Sequence, residues 1–244
     1  MPGGCLLSML MYCPLIGSRA SYELSGGNTY PAASRPSGMT AWSPQTYGYE
    51  NTLFYDYSAD SLNGIRATHQ ASVWMSDYGD FSLMSVTGDP GFLPGQRASP
   101  FSHEAKSSRP QSYSVELPRY ELHLEVAPTS RAAVVRVRSA RSDTVTFIVD
   151  PHPPGNLIEI LPSEARLQAL TVTNMGGTPD NLRSFLTAKF DRVPLDYGTW
   201  TDSTVHPGQT QSEGEHSGAW VRDPAGTPDL RAGGAPIQTD GTGL

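Results

Sequence analysis

From residue 113 to residue 149 the chain alternates apolar and polar residues in four consecutive runs. They are Tyr113-Ser114-Val115-Glu116-Leu117, Glu121-Leu122-His123-Leu124-Glu125-Val126, Ala133-Val134-Val135-Arg136-Val137-Arg138 and Thr144-Val145-Thr146-Phe147-Ile148-Val149. A period of two sends successive side chains to opposite faces of a strand, so each run buries one face and wets the other. Arg136 and Arg138 are then expected in water, with Val135 and Val137 in the core. Turn residues separate the runs at a spacing of about ten residues, which is the pattern of an all-β, antiparallel β-sandwich.

Flanking segments extend the pattern. Residues 39–42 read as a short strand stopped by Ser43-Pro44, and residues 81–86 as a strand closed by the turn Thr87-Gly88-Asp89-Pro90-Gly91. Residues 60–64 read as a turn, or one helical turn with a Gly stop, and residues 47–58 as a half-exposed loop or edge strand. Residues 157–161, 169–173 and 184–190 read as further strands, and no long amphipathic helix or internal repeat is present. The 24 glycines and 21 prolines suit many turns rather than many helices. Beyond Trp200, Gly, Pro, Thr, Ser, Asp and Gln dominate, with one apolar island at Ala219-Trp220-Val221. Such a stretch buries too little apolar surface to offset its ordering entropy. The expected organisation is therefore one domain over residues 1–222 and a low-complexity, disordered tail over residues 223–244.

A net charge of −7 leaves no basic footprint, so no nucleic acid partner is expected. The two cysteines, Cys5 and Cys13, fit neither zinc spacing nor a disulfide framework. The run Leu6-Leu7-Ser8-Met9-Leu10-Met11 is too short to span a bilayer and has no basic leader, so neither a membrane span nor a clear signal peptide is read here. Two readings of it stay open: a first buried strand, favoured, or the remnant of a secretion signal.

One segment breaks the alternation. Residues 68–81 hold His69, Trp74, Tyr78, Asp77 and Asp80 between two strands. Aromatic faces beside hydrogen-bonding groups suit a sugar, whose C–H faces stack while its hydroxyls need partners. Asp77 and Asp80 invite an acid–base reading, but three residues apart on an extended chain they point to opposite faces. Inverting glycoside hydrolysis needs two carboxyls facing each other across the sugar at about 6.5–9.5 Å. Asp77 is better read as an acceptor for a hydroxyl or a nearby backbone group. Arg66 either clamps a hydroxyl or pairs with Asp77, the ion pair being favoured, and His69 either donates to a hydroxyl or is a satisfied core histidine. Trp74 is either buried packing or a sugar platform. His103 and Glu104 have no third ligand at metal spacing and read as a turn, as do Asn28 and Tyr30. Ser102-His103 is not a triad, and no phosphate-binding glycine loop occurs.

Several ordered motifs resemble glycoside hydrolase family 92, the calcium-dependent α-mannosidases. Gly26-Gly27-Asn28-Thr29-Tyr30-Pro31-Ala32, Gly38-Met39 and Trp42-Ser43-Pro44-Gln45-Thr46 resemble its opening motif. Gly64-Ile65-Arg66-Ala67-Thr68-His69-Gln70 through Trp74-Met75 and Asp77-Tyr78-Gly79 resemble the second, and Phe101-Ser102-His103-Glu104 the third. Tyr113-Ser114-Val115, Thr129-Ser130-Arg131-Ala132-Ala133, Gly176-Gly177-Thr178-Pro179-Asp180-Asn181 and Phe190-Asp191 resemble later stretches of the same domain.

The resemblance implies a galactose-mutarotase-like N-terminal sandwich that packs on a much larger (α/α)₆ catalytic barrel. It covers the sandwich alone. In the family the general acid, the general base and most calcium ligands belong to the barrel, so no catalytic or metal residue is assigned here and no calcium is expected on this chain by itself. The resemblance favours Trp74 as a platform and makes Trp74, His69, Asp77 and Arg66 the expected substrate contacts. It implies α-mannosides or N-glycan mannose as ligand, a helical catalytic domain as partner, and an extracellular or periplasmic location. This chain is expected to be inactive on its own, completing the mannose cleft of a catalytic domain. A stand-alone carbohydrate-binding module and an inactive fragment are the alternatives.

Overall fold

The computed structural model describes residues 13–19, 29–46, 55–68, 79–89, 91–140, 144–153, 156–172, 181–223 and 229–238. In chain order, β1 is Ala41–Gln45, β2 Ser61–Leu62, β3 Gly64–Thr68 and β4 Phe81–Val86. The short helix α1, Pro94–Arg97, precedes β5, Ser99–Pro100. Then come β6 Lys106–Arg109, β7 Ser112–Leu117, β8 Leu122–Pro128, β9 Ala132–Ser139, β10 Val145–Pro151 and β11 Asn156–Leu161. The last seven are β12 Arg166–Thr171, β13 Leu182–Phe190, β14 Asp196–Thr201, β15 Thr204–Pro207, β16 Gln211–Gly214, β17 Ser217–Asp223 and β18 Asp229–Gln238. They form a seven-stranded sheet, β1-β3-β4-β10-β17-β14-β15, and a nine-stranded sheet, β16-β11-β12-β13-β18-β9-β8-β7-β6, with β2 and β5 as a separate pair. The long alternating strands pair antiparallel, and the expected sandwich is what they build.

The two sheets divide the alternation differently. In the nine-stranded sheet β8 and β9 bury every second residue: Leu122, Leu124 and Val126, then Ala133, Val135 and Val137, while Arg136 and Arg138 are exposed. In the seven-stranded sheet β4 and β10 are buried at every position. One face of that sheet meets the nine-stranded sheet, as Phe147 of β10 meets Phe190 of β13 with ring centroids 5.8 Å apart. Its other face is covered by the segment that contains α1. The wet-face expectation therefore holds for the nine-stranded sheet alone.

Four local readings need correction. Pro44 does not stop β1; it lies inside it, opposite Ile65. Trp42, two residues earlier, exchanges backbone hydrogen bonds with Ala33 on the side away from β3, so the N–H that Pro44 lacks would also have pointed there. Residues 60–64 are not a turn: they hold β2 and the start of β3, fixed by Phe101 N–H to Asp60 and Asn63 N–H to Gln45. The tail reading differs from the structure over Asp229–Gln238, which runs between β13 and β9. Backbone pairing on both sides supplies there the order that side-chain hydrophobicity does not promise. Cys13 is disulfide-bonded, against the sequence reading. The other cysteine in the sequence, Cys5, lies outside the described residues with the run of residues 6–11.

Aromatic size is accommodated by glycine at the β14–β17 pair. Gly198 lies opposite Trp220 and Gly218 opposite Trp200. Each glycine takes the neighbouring indole across its bare Cα: a Cβ on Gly218 would fall 1.9 Å from the Trp200 ring, and one on Gly198 2.8 Å from the Trp220 ring. Phe92 stacks on both indoles, at 5.2 Å from Trp200 and 5.9 Å from Trp220. Gly218→Ala is expected to lower unfolding free energy by about 1–3 kcal/mol, because the buried ring has no room to yield. Urea denaturation followed by tryptophan fluorescence measures it.

Candidate functional site

The site is built on the outward face of the seven-stranded sheet, at the end where β3 leaves and β4 returns. The register places Arg66 opposite Ser82 and Ala67 opposite Phe81. His69, Trp74 and Asp77 belong to the connection between these strands and lie outside the described residues. The two stems of that connection are defined, and Arg66 on β3 and Gly79-Asp80 before β4 mark its mouth. Arg66 is fully buried, 1 % exposed. Gly79 has φ of 65°, and a Cβ there would lie 2.6 Å from Cδ and 2.8 Å from Nε of Arg66. The glycine of Asp77-Tyr78-Gly79 is thus demanded twice, by backbone conformation and by the arginine side chain seated against it.

His152, just past the end of β10, closes the same corner. Its backbone N–H donates to the Asp80 carbonyl at 2.7 Å, and its own carbonyl accepts from the Thr171 hydroxyl at 2.7 Å. Its Nδ1 lies 2.7 Å from the Pro153 carbonyl oxygen, which can only accept, so Nδ1 carries the proton and Nε2 is the acceptor nitrogen. Burial first, then the Arg66 charge, pushes its pKa down to about 4, against opposing contributions from the Pro153 contact and Asp80. His152 is therefore a neutral ring at physiological pH, with a guanidinium and a carboxylate in electrostatic reach.

Beneath this corner runs a buried polar layer. The Ser82 hydroxyl donates to Gln45 Oε1 at 2.6 Å. Arg97 of α1 donates through Nε to the Asn63 carbonyl at 3.1 Å and through Nη1 to the Phe92 carbonyl at 2.6 Å. The same Nη1 sits 2.8 Å from Asp150 Oδ2. Burial draws Arg97 down to about 9 and raises Asp150 well above the usual carboxylate range, so the pair is held by mutual contact in a dry setting. Arg97→Ala is expected to cost about 3–5 kcal/mol, since it strands a buried carboxylate. Thermal and urea unfolding would show it, and a loss under 1 kcal/mol would contradict the assignment.

Of the four expected contacts, the structure describes Arg66 alone. Asp80, dismissed above as half of an acid–base pair, is buried beside Gly79. His103 and Glu104 lie in a turn closed by the Ala105 N–H to Ser102, and Tyr30 is buried against Tyr55. Asn28 lies outside the described residues. His152 and Arg97 were missed. Neither stands out in the sequence: His152 follows the alternating run of residues 144–149 after Asp150-Pro151, and Arg97 lies in a Gly/Pro-rich stretch. The arrangement offers fixed donors, a neutral imidazole acceptor and carboxylates. It suits hydroxyl recognition, and among the described residues no three His, Cys, Asp or Glu side chains are grouped to hold a metal.

The His152 pKa is depressed, so the unfolded chain takes up its proton first, and stability present above pH 6.5 is lost as pH falls toward about 4. Asp223 is raised to about 6 by burial and then by Asp191, so it contributes in the opposite sense, gaining stability as pH falls below about 6. His152→Gln is expected to remove the acid loss and leave the gain. Urea midpoints measured from pH 7 to pH 4 should fall in the parent relative to the variant.

Comparison with known proteins follows the same outline. The family model for the glycosyl hydrolase family 92 N-terminal domain matches residues 13–228. The fold superposes on the family GH92 inverting mannosidase BT2199 of Bacteroides thetaiotaomicron VPI-5482 with a TM-score of 0.85 at 32% identity, covering 91% of this chain and 30% of that one. The GH92 α-mannosidase BT3965 of Bacteroides thetaiotaomicron, in complex with mannoimidazole, shares the fold at TM-score 0.77 and 20% identity, over 94% of this chain and 32% of that one. The GH92 glycosyl hydrolase ccman5 does so at TM-score 0.74 and 23% identity, over 91% and 32%. No curated protein sequence matches. The chain spans about a third of the length of these structures. With its motifs in order, its two antiparallel sheets and a family match across most of its length, the chain belongs to glycosyl hydrolase family 92 as an N-terminal β-sandwich domain.

Proposed function

We propose that this sandwich forms one wall of a mannose-binding cleft whose reacting groups lie on a helical (α/α)₆ catalytic domain. The observation that carries the reading is the 32% identity to an inverting mannosidase over 91% of this chain, with 30% of that enzyme covered. The Arg66–Asp80–His152 corner supports it, because it rigidly holds both stems of the segment bearing His69, Trp74 and Asp77. Trp74 would stack on a sugar face and His69 and Asp77 would meet hydroxyls, while Arg66, expected from the sequence as a fourth contact, is buried against Gly79 and would support the segment from beneath. The complete enzyme would hydrolyse α-mannosides, N-glycan mannose among them, with inversion. Calcium would sit with the catalytic domain and polarise or orient sugar hydroxyls there. The domain would take in Asp229–Gln238, which pairs with β13 and β9, so the boundary expected at residue 222 would move beyond that strand. An extracellular or periplasmic location accords with the disulfide at Cys13, since such bonds persist in oxidising compartments. No helix among the described residues is long and apolar enough to cross a membrane.

The test replaces the N-terminal sandwich of the 32%-identical mannosidase with this chain. The hybrid should hydrolyse an α-mannobioside, and Trp74→Ala within it should lower kcat/KM by about tenfold or more, the value of one lost stacking contact in the cleft. The isolated chain should release no phenol from an aryl α-mannoside. Turnover by the isolated chain, or a folded hybrid indifferent to Trp74→Ala, would sink the proposal.

A further inference from the structure

At the side of the sandwich where β1 and β6 form the two sheet edges, Lys106 enters an aromatic enclosure. Its Nζ lies 5.4 Å from the Tyr55 ring centroid, 5.0 Å from that of Tyr57 and 5.3 Å from that of Phe101. The same nitrogen donates to the Tyr55 hydroxyl at 2.7 Å. His103 backs the enclosure, stacked on Tyr57 at 4.3 Å and edge-on to Phe101 at 5.1 Å. Among the described residues no carboxylate forms an ion pair with Lys106. Among the described residues, ring faces and one phenol support the ammonium there.

We propose that Lys106 is a covalent capture site for small aldehydes, the open-chain forms of aldoses among them, through an imine at Nζ. Burial draws the Lys106 pKa down to about 8, so a substantial share of the amine is neutral and nucleophilic near neutrality. The ring faces oppose that shift by favouring the cation, and burial prevails over them. The neutral amine attacks the aldehyde carbon and a proton passes from nitrogen to the former carbonyl oxygen. One water then leaves, and a C=N bond to Nζ remains. No oxidant or reductant takes part. Burial first, then the neighbouring Tyr57 and Asp56, raises the Tyr55 pKa, so its phenol stays protonated and can hand a proton to the departing hydroxyl, recovering one from nitrogen. Acyl transfer would need a leaving group and an oxyanion site, whereas imine formation needs an amine and a nearby acid, which is what the enclosure holds.

The sequence supplies an internal control, because its only other lysine is the exposed Lys189 of β13. The chain is incubated with glycolaldehyde and cyanoborohydride, which reduces each imine to a stable amine, and peptide mass spectrometry reads occupancy at both lysines. At pH 7.5 Lys106 should be labelled about tenfold faster than the exposed Lys189, and the Lys106 rate should rise with pH and level off above about 8. Tyr55→Phe keeps the ring and removes the phenol, and should slow labelling of Lys106 while leaving Lys189 unchanged. Should that variant fail to fold, the pH dependence in the parent chain decides alone. Labelling of Lys106 no faster than Lys189 at pH 7.5, or an unaffected rate in folded Tyr55→Phe, overturns the proposal.

Discussion

At β3, β4 and β10 the seven-stranded sheet is buried on both faces, and Arg97 makes that arrangement stable. A sheet face that carries Gln45, Ser82 and Asp150 cannot be covered by apolar side chains without leaving polar atoms unpaired. The guanidinium answers several of them together: two backbone carbonyls, from Asn63 and Phe92, and the Asp150 carboxylate. It arrives on a helix of one turn, too short to persist by propensity and held by what its arginine binds. Covering this face fixes β3 and β4, and with them the mouth of the connection between those strands. The stability of the core and the position of the site rest on the same side chain.

The second constraint is volume. Trp200 and Trp220 lie on neighbouring strands of the covered face, and two indoles there leave no room for a second side chain opposite each. The reciprocal glycines, Gly218 and Gly198, resolve this by letting each ring lie over a bare backbone. Phe92 then completes a stack of three rings and brings its carbonyl to Arg97. Aromatic packing and the polar layer are therefore joined through one residue. The segment before α1 is held from both ends of that chain of contacts.

The site corner shows how a motif acquires its meaning. Gly79 looks in the sequence like an ordinary turn glycine. In the fold it is the residue against which Arg66 lies, with a positive φ besides. His152 enters from a strand far away in sequence and meets Asp80 through its backbone. The result is one corner at which a neutral imidazole feels both the Arg66 guanidinium and Asp80.

Alternation of apolar and polar residues was enough to read the strands from Ser112 to Ser139, their wet face and the sandwich class, because the period of two is a local property of an extended chain. The ordered motifs were enough to place the chain in its family and to point at Arg66 and the segment after it. Local pattern could not show that β4 and β10 are covered twice, that Pro44 sits harmlessly in an edge strand, or that the Gly-rich residues 229–238 run between β13 and β9. Each of these depends on which neighbour a strand meets, and pairing partners are distant in sequence. The Arg97 hub, the Gly–Trp exchange and the His152 corner were likewise decided by tertiary structure alone, since the burial that gives a polar side chain its role exists only once both sheets and their cover are assembled.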